Sequence, residues 1–340
     1  MRRAVPTTIT IALAVLAGCS GGTGDDADAV TAENCGIEVS VSEPPQRIYA
    51  LYRPAAEIAH ALGISDRLVE TSFHGSQVLP DYVQAQEQVP LLSNLPSREA
   101  LLATEPDFVL SGFGTGFSAD GPDSIGTRAS LAELGIPSWV ISPFCPTEDG
   151  KTDQKVDPAD VRVEAVWEDL RDLGRLFDVE AAAAEQVIAD QTSRITAVEQ
   201  AVAGADRPTV AIVGPQDDGT FQISGGIDFV TELIERAGGV NAFADVTDTR
   251  NIWVDAEELI ECDPDVILTT TCCDAAFTRQ DGQSDVAEIL GHPALAGLTA
   301  VENQAVHPFL FEDRGAGVRM AQAVEIIASV LHPDLVQAPA

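Results

Sequence analysis

The sequence predicts an α/β protein of two similar lobes, each with a parallel central sheet covered by helices, joined by one long helix and separated by a cleft. Three observations carry this expectation. Strand-like apolar runs bounded by turn residues alternate with helical patterns. A long helical stretch divides the chain near its middle, and the same alternation restarts after it.

In the first half, residues 47–51 read as a strand, 55–62 as a helix closed by Gly63, 108–111 as a strand, 130–134 as a helix closed by Gly135, and 138–142 as a strand. Residues 161–177 are amphipathic at helical spacing. Asp178 stands where it would cap a second helix running to Ala203 and stopping at Gly204. About 25 residues at 1.5 Å each give roughly 38 Å, enough to brace two lobes. The second half offers a strand at 209–213, a helix at 228–237 ending in Gly238-Gly239, strands at 266–270 and 305–309, and a final helix over 317–331. The internal match is Glu99-Ala-Leu-Leu-Ala-Thr-Glu-Pro106-Asp107 against Glu257-Glu-Leu-Ile-Glu-Cys-Asp-Pro264-Asp265, each feeding a strand.

Arg2 and Arg3 precede an apolar run over residues 9–16, too short for a bilayer and suited to a signal-peptide core. It stops at Leu16-Ala17-Gly18-Cys19, which resembles the bacterial lipobox. That resemblance implies a signal peptide over 1–18, export, and Cys19 as the lipid-bearing first residue of the mature chain. Two or three acyl chains at about 0.8 kcal/mol per buried methylene make a stable membrane anchor. Residues 19–33 hold almost no bulky apolar side chain and read as a flexible tether. The expected division of the rest is an N-terminal lobe over 34–160, a helical bridge over 161–204 and a C-terminal lobe over 205–340.

Fifty-four acidic and nineteen basic residues give a net charge of −35, which excludes a broad nucleic-acid-binding surface. All but Lys151 and Lys155 of the basic residues are arginines, the better holders of planar and oxyanionic groups. Apart from Cys19 there are Cys35, Cys145, Cys262, Cys272 and Cys273, an odd set in a compartment where disulfides persist. Cys35 with Cys145 is the preferred bridge, because it ties the start of the first lobe to the end of that lobe's last strand. Cys272 with Cys273 as metal ligands is the alternative, although adjacent cysteines lack the spacer of common zinc sites.

Pro45-Gln-Arg-Ile-Tyr-Ala-Leu, Ala56-Glu57-Ile with Ala61-Leu62-Gly63, Arg98-Glu99 through Pro106-Asp107, Leu134-Gly135-Ile136-Pro137, Ala237-Gly238-Gly239 and Val254 through Pro264-Asp265 follow one another with the long helix between them. In this order and spacing they resemble the helical-backbone class of solute-binding proteins of ABC importers, the group that binds ferric siderophores, haem and vitamin B12. The resemblance covers nearly the whole mature chain. It implies two Rossmann-like lobes and an extracytoplasmic, lipid-anchored monomer that needs no cofactor and performs no catalysis. Its implied partners are a small metal chelate, an ABC permease and, through the permease, an ATPase. It further implies that Glu99 and Glu257, at equivalent places in the repeat, dock onto permease arginines. Read without the resemblance, both are helix N-terminal acids favoured by the dipole.

A ligand between such lobes meets the loops that leave the carboxyl ends of the strands. There the sequence places Tyr52 and Arg53, then Phe113, Gly114 and Phe117 in a glycine-rich loop, then Phe144. The other lobe offers Trp253, Phe277, Arg279, Phe311 and Arg314. Aromatics with arginines suit a chelate that is apolar outside and oxygen-rich around its metal. Taken singly these aromatics serve a core equally well, except Phe113 and Phe117, whose glycine-rich loop has no strand or helix period, and Arg53 or Arg314 serves a surface ion pair worth about 0.5 kcal/mol.

No Gly-x-Ser-x-Gly elbow or His-Glu-x-x-His motif supports an extracytoplasmic hydrolase. Bare zinc or manganese would call on His74, His307 and carboxylates, and haem on an axial Tyr52, Tyr82 or His74. The resemblance favours a ferric siderophore over vitamin B12 or haem, and the strongly negative chain, which repels an anionic chelate, suits a neutral or cationic ferric hydroxamate.

Overall fold

The computed structural model describes residues 29–118, 124–146 and 154–339. The signal peptide, Cys19 and Lys151 lie outside them. The chain opens with strands β1 (Val30–Asn34) and β2 (Ile37–Val41), an antiparallel hairpin. Its two turn residues, Cys35 and Gly36, both take positive φ, as the turn that matches strand twist requires. Residues 30–33, expected to end the tether, are therefore strand.

The first lobe continues as β3 (Ile48–Leu51), α1 (Arg53–Ala61), β4 (Leu68–Ser72), α2 (Val83–Gln86), β5 (Leu91–Leu92), α3 (Arg98–Ala103), β6 (Phe108–Ser111), α4 (Arg128–Ala132) and β7 (Ser138–Val140). Its sheet is wholly parallel, in the order β5-β4-β3-β6-β7. The strands β3 and β6 are buried along their whole length, as expected of a parallel sheet covered on both faces. Cys35 is joined to Cys145, which links the hairpin turn to the chain just beyond β7.

Helices α5 (Val163–Leu176) and α6 (Ala181–Ala201) connect the lobes. The long helix starts later than expected: Asp178, at φ 51, lies within a break between two helices, and Glu180 occupies the N-cap position. Helix α6 touches α1 of the first lobe as well as α7 and α11 of the second.

The second lobe comprises β8 (Thr209–Pro215), β9 (Phe221–Ser224), α7 (Val230–Arg236), β10 (Val240–Asn241), β11 (Asn251–Val254), α8 (Ala256–Cys262), β12 (Val266–Thr269), α9 (Gln283–Gly291), α10 (Thr299–Glu302), β13 (Val306–His307) and α11 (Met320–Leu331). Its sheet runs β11-β9-β8-β12-β13, with β10 beside β8. Strands β10, β8, β12 and β13 are parallel as expected, whereas β9, an added strand, is antiparallel to both β8 and β11. The cause is local: Gln216-Asp-Asp-Gly-Thr220 closes a tight turn with Gly219 at φ 83, which folds β8 straight back on itself.

The internal repeat has a geometric basis. Helices α3 and α8 both end in a left-handed residue, Glu105 at φ 48 and Asp263 at φ 42. Two residues later Asp107 accepts from the Gln46 and Arg47 backbone N–H groups, at 2.8 Å each, and Asp265 accepts from Thr209 N–H at 2.8 Å. Each carboxylate thus ties the strand that follows its helix to the neighbouring parallel strand, β6 to β3 and β12 to β8. One apolar core runs from the first sheet through α5 and α6 to Val210, Ile212 and Leu268 on one face of the second sheet. Ala211, Val213 and Ile267, alternating with them, face a second core on the other side.

Candidate functional site

The cleft opens where β3, β4 and β6 of one lobe and β8, β12 and β13 of the other end. It holds two connected spaces. The larger, about 670 Å³, is lined by Phe73, Phe277 and Phe311, by Gly214 to Gln216 and Gln222, by Thr270 to Cys273, and by Asp281, Ser284 and Asp285. The smaller, about 200 Å³, shares Phe73, Gln222 and Phe311 and adds Tyr52, Phe113, Thr115, Gln154, Arg250, Asn251 and Arg314. The larger space falls in the size range of small-molecule sites, and the smaller one extends it.

An aromatic band crosses the floor. Tyr52 meets Phe73 and Phe113 edge to face at 5.6 and 5.0 Å between ring centroids, and Phe113 lies 4.4 Å from Phe144 and 6.3 Å from Phe311. Gly112 allows this approach: a Cβ there would sit 3.3 Å from that of Tyr52. Tyr52 itself has φ 68, so the chain turns sharply from β3 into α1 and aims the ring at the cleft.

Two guanidinium groups stand on this band. Arg314 lies 4.2 Å from the centroid of Phe311 and donates to Ser224 Oγ at 2.6 Å and Asn251 Oδ1 at 3.1 Å. Arg250 lies 4.4 Å from the Phe144 ring and donates to the buried Asp228 at 3.0 Å. Both guanidiniums are held in place by protein acceptors and stacked on rings, which makes this wall of the cleft cationic and aromatic at once.

Beneath the cleft, charges from both lobes form a buried cluster. Arg53 pairs with Glu312 at 2.5 Å and Asp313 at 3.5 Å, and Arg319 with Glu57 at 2.6 Å and Asp313 at 3.3 Å. Glu57 also accepts from Leu79 N–H, and Glu312 from Gly75 N–H. Burial pushes the Glu57 carboxyl up, but Arg53 and Arg319 outweigh it and hold it below its ordinary range. For Glu312 burial prevails over Arg53, and its pKa rises to about 7. Burial, with Arg53 nearby, pushes His74 down to about 4.

Of the residues expected in the cleft, Tyr52, Phe113, Phe277, Phe311 and Arg314 line it. Arg53 does not: it is fully buried in the interlobe cluster. Phe144 and Phe117 are buried behind the lining, Phe144 carrying Phe113 and Arg250. Trp253 stands 56% exposed on the edge strand β11, and neither it nor Arg279 lines either space. Arg250 and Asn251 were not anticipated, because they enter from the amino end of β11 whereas the expectation drew on carboxyl ends. Gln222 and Ser224 were missed with the hairpin strand that carries them.

Cys272 and Cys273 are bonded to each other and Cys262 is free, so the expectation of Cys272 and Cys273 as metal ligands gives way to a disulfide. Among the described residues no group of three or more His, Cys, Asp or Glu side chains is gathered to hold a metal ion. Glu99 and Glu257 are both exposed in the first turn of their helices.

A family described as periplasmic binding protein matches residues 48–307. A cobalamin-binding protein of Halobacterium salinarum is 27% identical over 69% of this chain, and the match spans 57% of that relative's length. An uncharacterized ABC transporter substrate-binding lipoprotein of Bacillus subtilis is 22% identical over 98% of both chains. The crystal structure of an ABC-type Fe3+-hydroxamate transport system protein from Saccharomonospora viridis superposes with a TM-score of 0.71 at 27% identity, covering 89% of this chain and 98% of that one.

Proposed function

The chain belongs to the periplasmic binding protein family, and from that premise we propose that it is the solute-binding protein of an ABC importer that captures a ferric siderophore of hydroxamate type. The observation that carries this reading is the pair Arg250 and Arg314 stacked on phenyl rings in the interlobe cleft. Hydroxamate oxygens around a ferric ion lie against the positive wall that Arg250 and Arg314 form, and the aliphatic backbone of the chelate lies on Tyr52, Phe73, Phe113 and Phe311. The chelate binds and leaves unchanged, so no catalytic group is required. The Fe3+-hydroxamate protein of Saccharomonospora viridis supports the ligand class. The Halobacterium relative supports a second reading, capture of a cobalamin in the same cleft. Glu99 and Glu257 are the proposed contacts to the permease, and Cys19 the proposed lipid anchor on the outer face of the membrane. Cys19→Ser, expressed in a bacterial host, moves the protein from the membrane fraction to the soluble fraction on this reading.

The test is quenching of the three tryptophans by ferric trihydroxamates, cobalamin, haemin and free zinc and manganese. Saturable quenching by a ferric trihydroxamate at submicromolar concentration, weakened at least tenfold in Arg314→Ala, is the expected outcome. Saturation by cobalamin alone favours the second reading, and saturation by bare zinc or manganese alone overturns both.

A further inference from the structure

Cys272 and Cys273 are consecutive in the chain, bonded to each other, and stand just beyond the carboxyl end of β12 on the wall of the larger space. Cys272 is half-buried and Cys273 exposed, so a small thiol entering the cleft reaches both sulfurs. The segment that follows is the second lobe's arm across the cleft. Cys273 N–H donates to Gly75 O at 3.1 Å, and Phe277 O accepts from Gln77 N–H at 2.9 Å. The strand of chain it grips is anchored in turn to the buried charges, through Gly75 N–H to Glu312 and Gln77 O from Arg319. Cys273 holds φ 91, a conformation a side-chain-bearing residue rarely adopts without a constraint.

The other disulfide differs in the length of the loop it closes and in the burial of one of its cysteines. Cys35 and Cys145 are 110 residues apart and Cys145 is 6% exposed. A crosslink closing so long a loop removes much conformational entropy from the unfolded chain, whereas one between neighbours removes almost none. Accessible disulfides with little to hold them closed are the labile ones. Cys262, the free thiol, precedes β12 and so sits at the opposite end of that strand, out of reach for exchange.

We propose that the Cys272–Cys273 bond is a site of reversible thiol–disulfide exchange on the cleft wall, opened by a small dithiol while Cys35–Cys145 stays closed, and that its opening releases the arm from the first lobe. In the exchange a dithiol thiolate attacks one of the two sulfurs, the bond between them breaks, and a mixed disulfide forms. The reductant's second thiol then closes it into a cyclic disulfide and expels the cysteine. Two electrons and two protons pass from the dithiol to two cysteine thiols. Once the ring is open, Cys273 can leave its positive φ, and its N–H turns away from Gly75. The inference rests on the cleft's geometry and stands whichever ligand the cleft takes.

The purified protein is equilibrated with graded dithiothreitol at neutral pH, alkylated with iodoacetamide and mapped by peptide mass spectrometry. Amide hydrogen exchange is followed over residues 73–77 and 271–281 in the same samples. Cys272 and Cys273 are expected to label at a dithiothreitol concentration at least tenfold below that which labels Cys35 and Cys145. In that state the amides of Cys273 and Gln77 exchange at least tenfold faster. Opening of Cys35–Cys145 first, or of both bonds together, overturns the proposal, as does unchanged exchange after Cys272 and Cys273 are labelled. Cys272→Ala with Cys273→Ala reproduces the fast exchange without reductant; should that variant not fold, the titration of the unaltered protein still decides.

Discussion

Asp169 shows how burial governs a single group in this fold. Its Oδ2 accepts from Ser142 N–H at 2.7 Å, and its Oδ1 from the Ser142 hydroxyl at 2.6 Å and Trp139 Nε1 at 3.1 Å. Even so, burial outweighs these bonds and raises its pKa to about 7. A carboxyl raised in the fold contributes stability that is present below its unfolded value and lost as pH rises through the folded one. Asp169 and Glu312 therefore stabilise the protein as pH falls from about 7 toward 4, each by up to about 1.4 kcal/mol per unit while the folded form holds a proton that the unfolded chain has lost. His74, pushed down to about 4, acts oppositely: its contribution is present above about 6.5 and fades as pH drops toward 4. Two such carboxyls outweigh one such histidine, so thermal melts are expected to give a higher melting temperature at pH 5 than at pH 7, and Asp169→Asn to flatten the limb between 5 and 7 whatever it costs at fixed pH. Little of this was legible beforehand. Arg53 and Arg314 looked alike as cleft arginines, and only packing sent one beneath the cleft and the other into it.

Among the elements, the most readable were those whose signal is continuous along the chain. Strands β3, β6, β8 and β12 are apolar runs, and the repeat linking α3 to α8 shows directly in the spacing of Glu99 to Pro106 and Glu257 to Pro264. The same repeat explains why Asp107 and Asp265 follow those prolines: each clamps two parallel strands at their amino ends. Asp107→Ala and Asp265→Ala are each expected to lower stability by about 1–2 kcal/mol in urea unfolding without altering ligand affinity. On the proposed docking role, Glu99→Arg with Glu257→Arg abolishes uptake in cells while fluorescence titration stays unchanged; uptake that survives removes that role. The two hairpins were missed because their signals are short: Asn-Cys-Gly between β1 and β2, and Asp-Asp-Gly-Thr between β8 and β9. With β9 went the true position of Arg250 and Asn251.

At the scale of the whole molecule, the lobes are joined by more than α6. One core is continuous between them, and three carboxylates, Glu57, Glu312 and Asp313, meet two guanidiniums, Arg53 and Arg319, across their junction. Removing one partner of such a buried set strands a charge, so Arg319→Met is expected to cost on the order of 3 kcal/mol. The stiff junction also predicts that small-angle scattering of free and loaded protein differs little; a large compaction on loading contradicts it. The sequence by itself determined the two-lobed α/β architecture, the repeat, and five side chains that line the cleft, because apolar periodicity and turn residues are local properties of the chain. Tertiary structure alone decided which arginines face the cleft and which are spent on ion pairs between lobes, and that Cys272 bonds to Cys273 on the cleft wall. Those outcomes depend on which distant segments share a buried volume, and burial sets the charge, partners and exposure of a side chain more strongly than its neighbours in the sequence do.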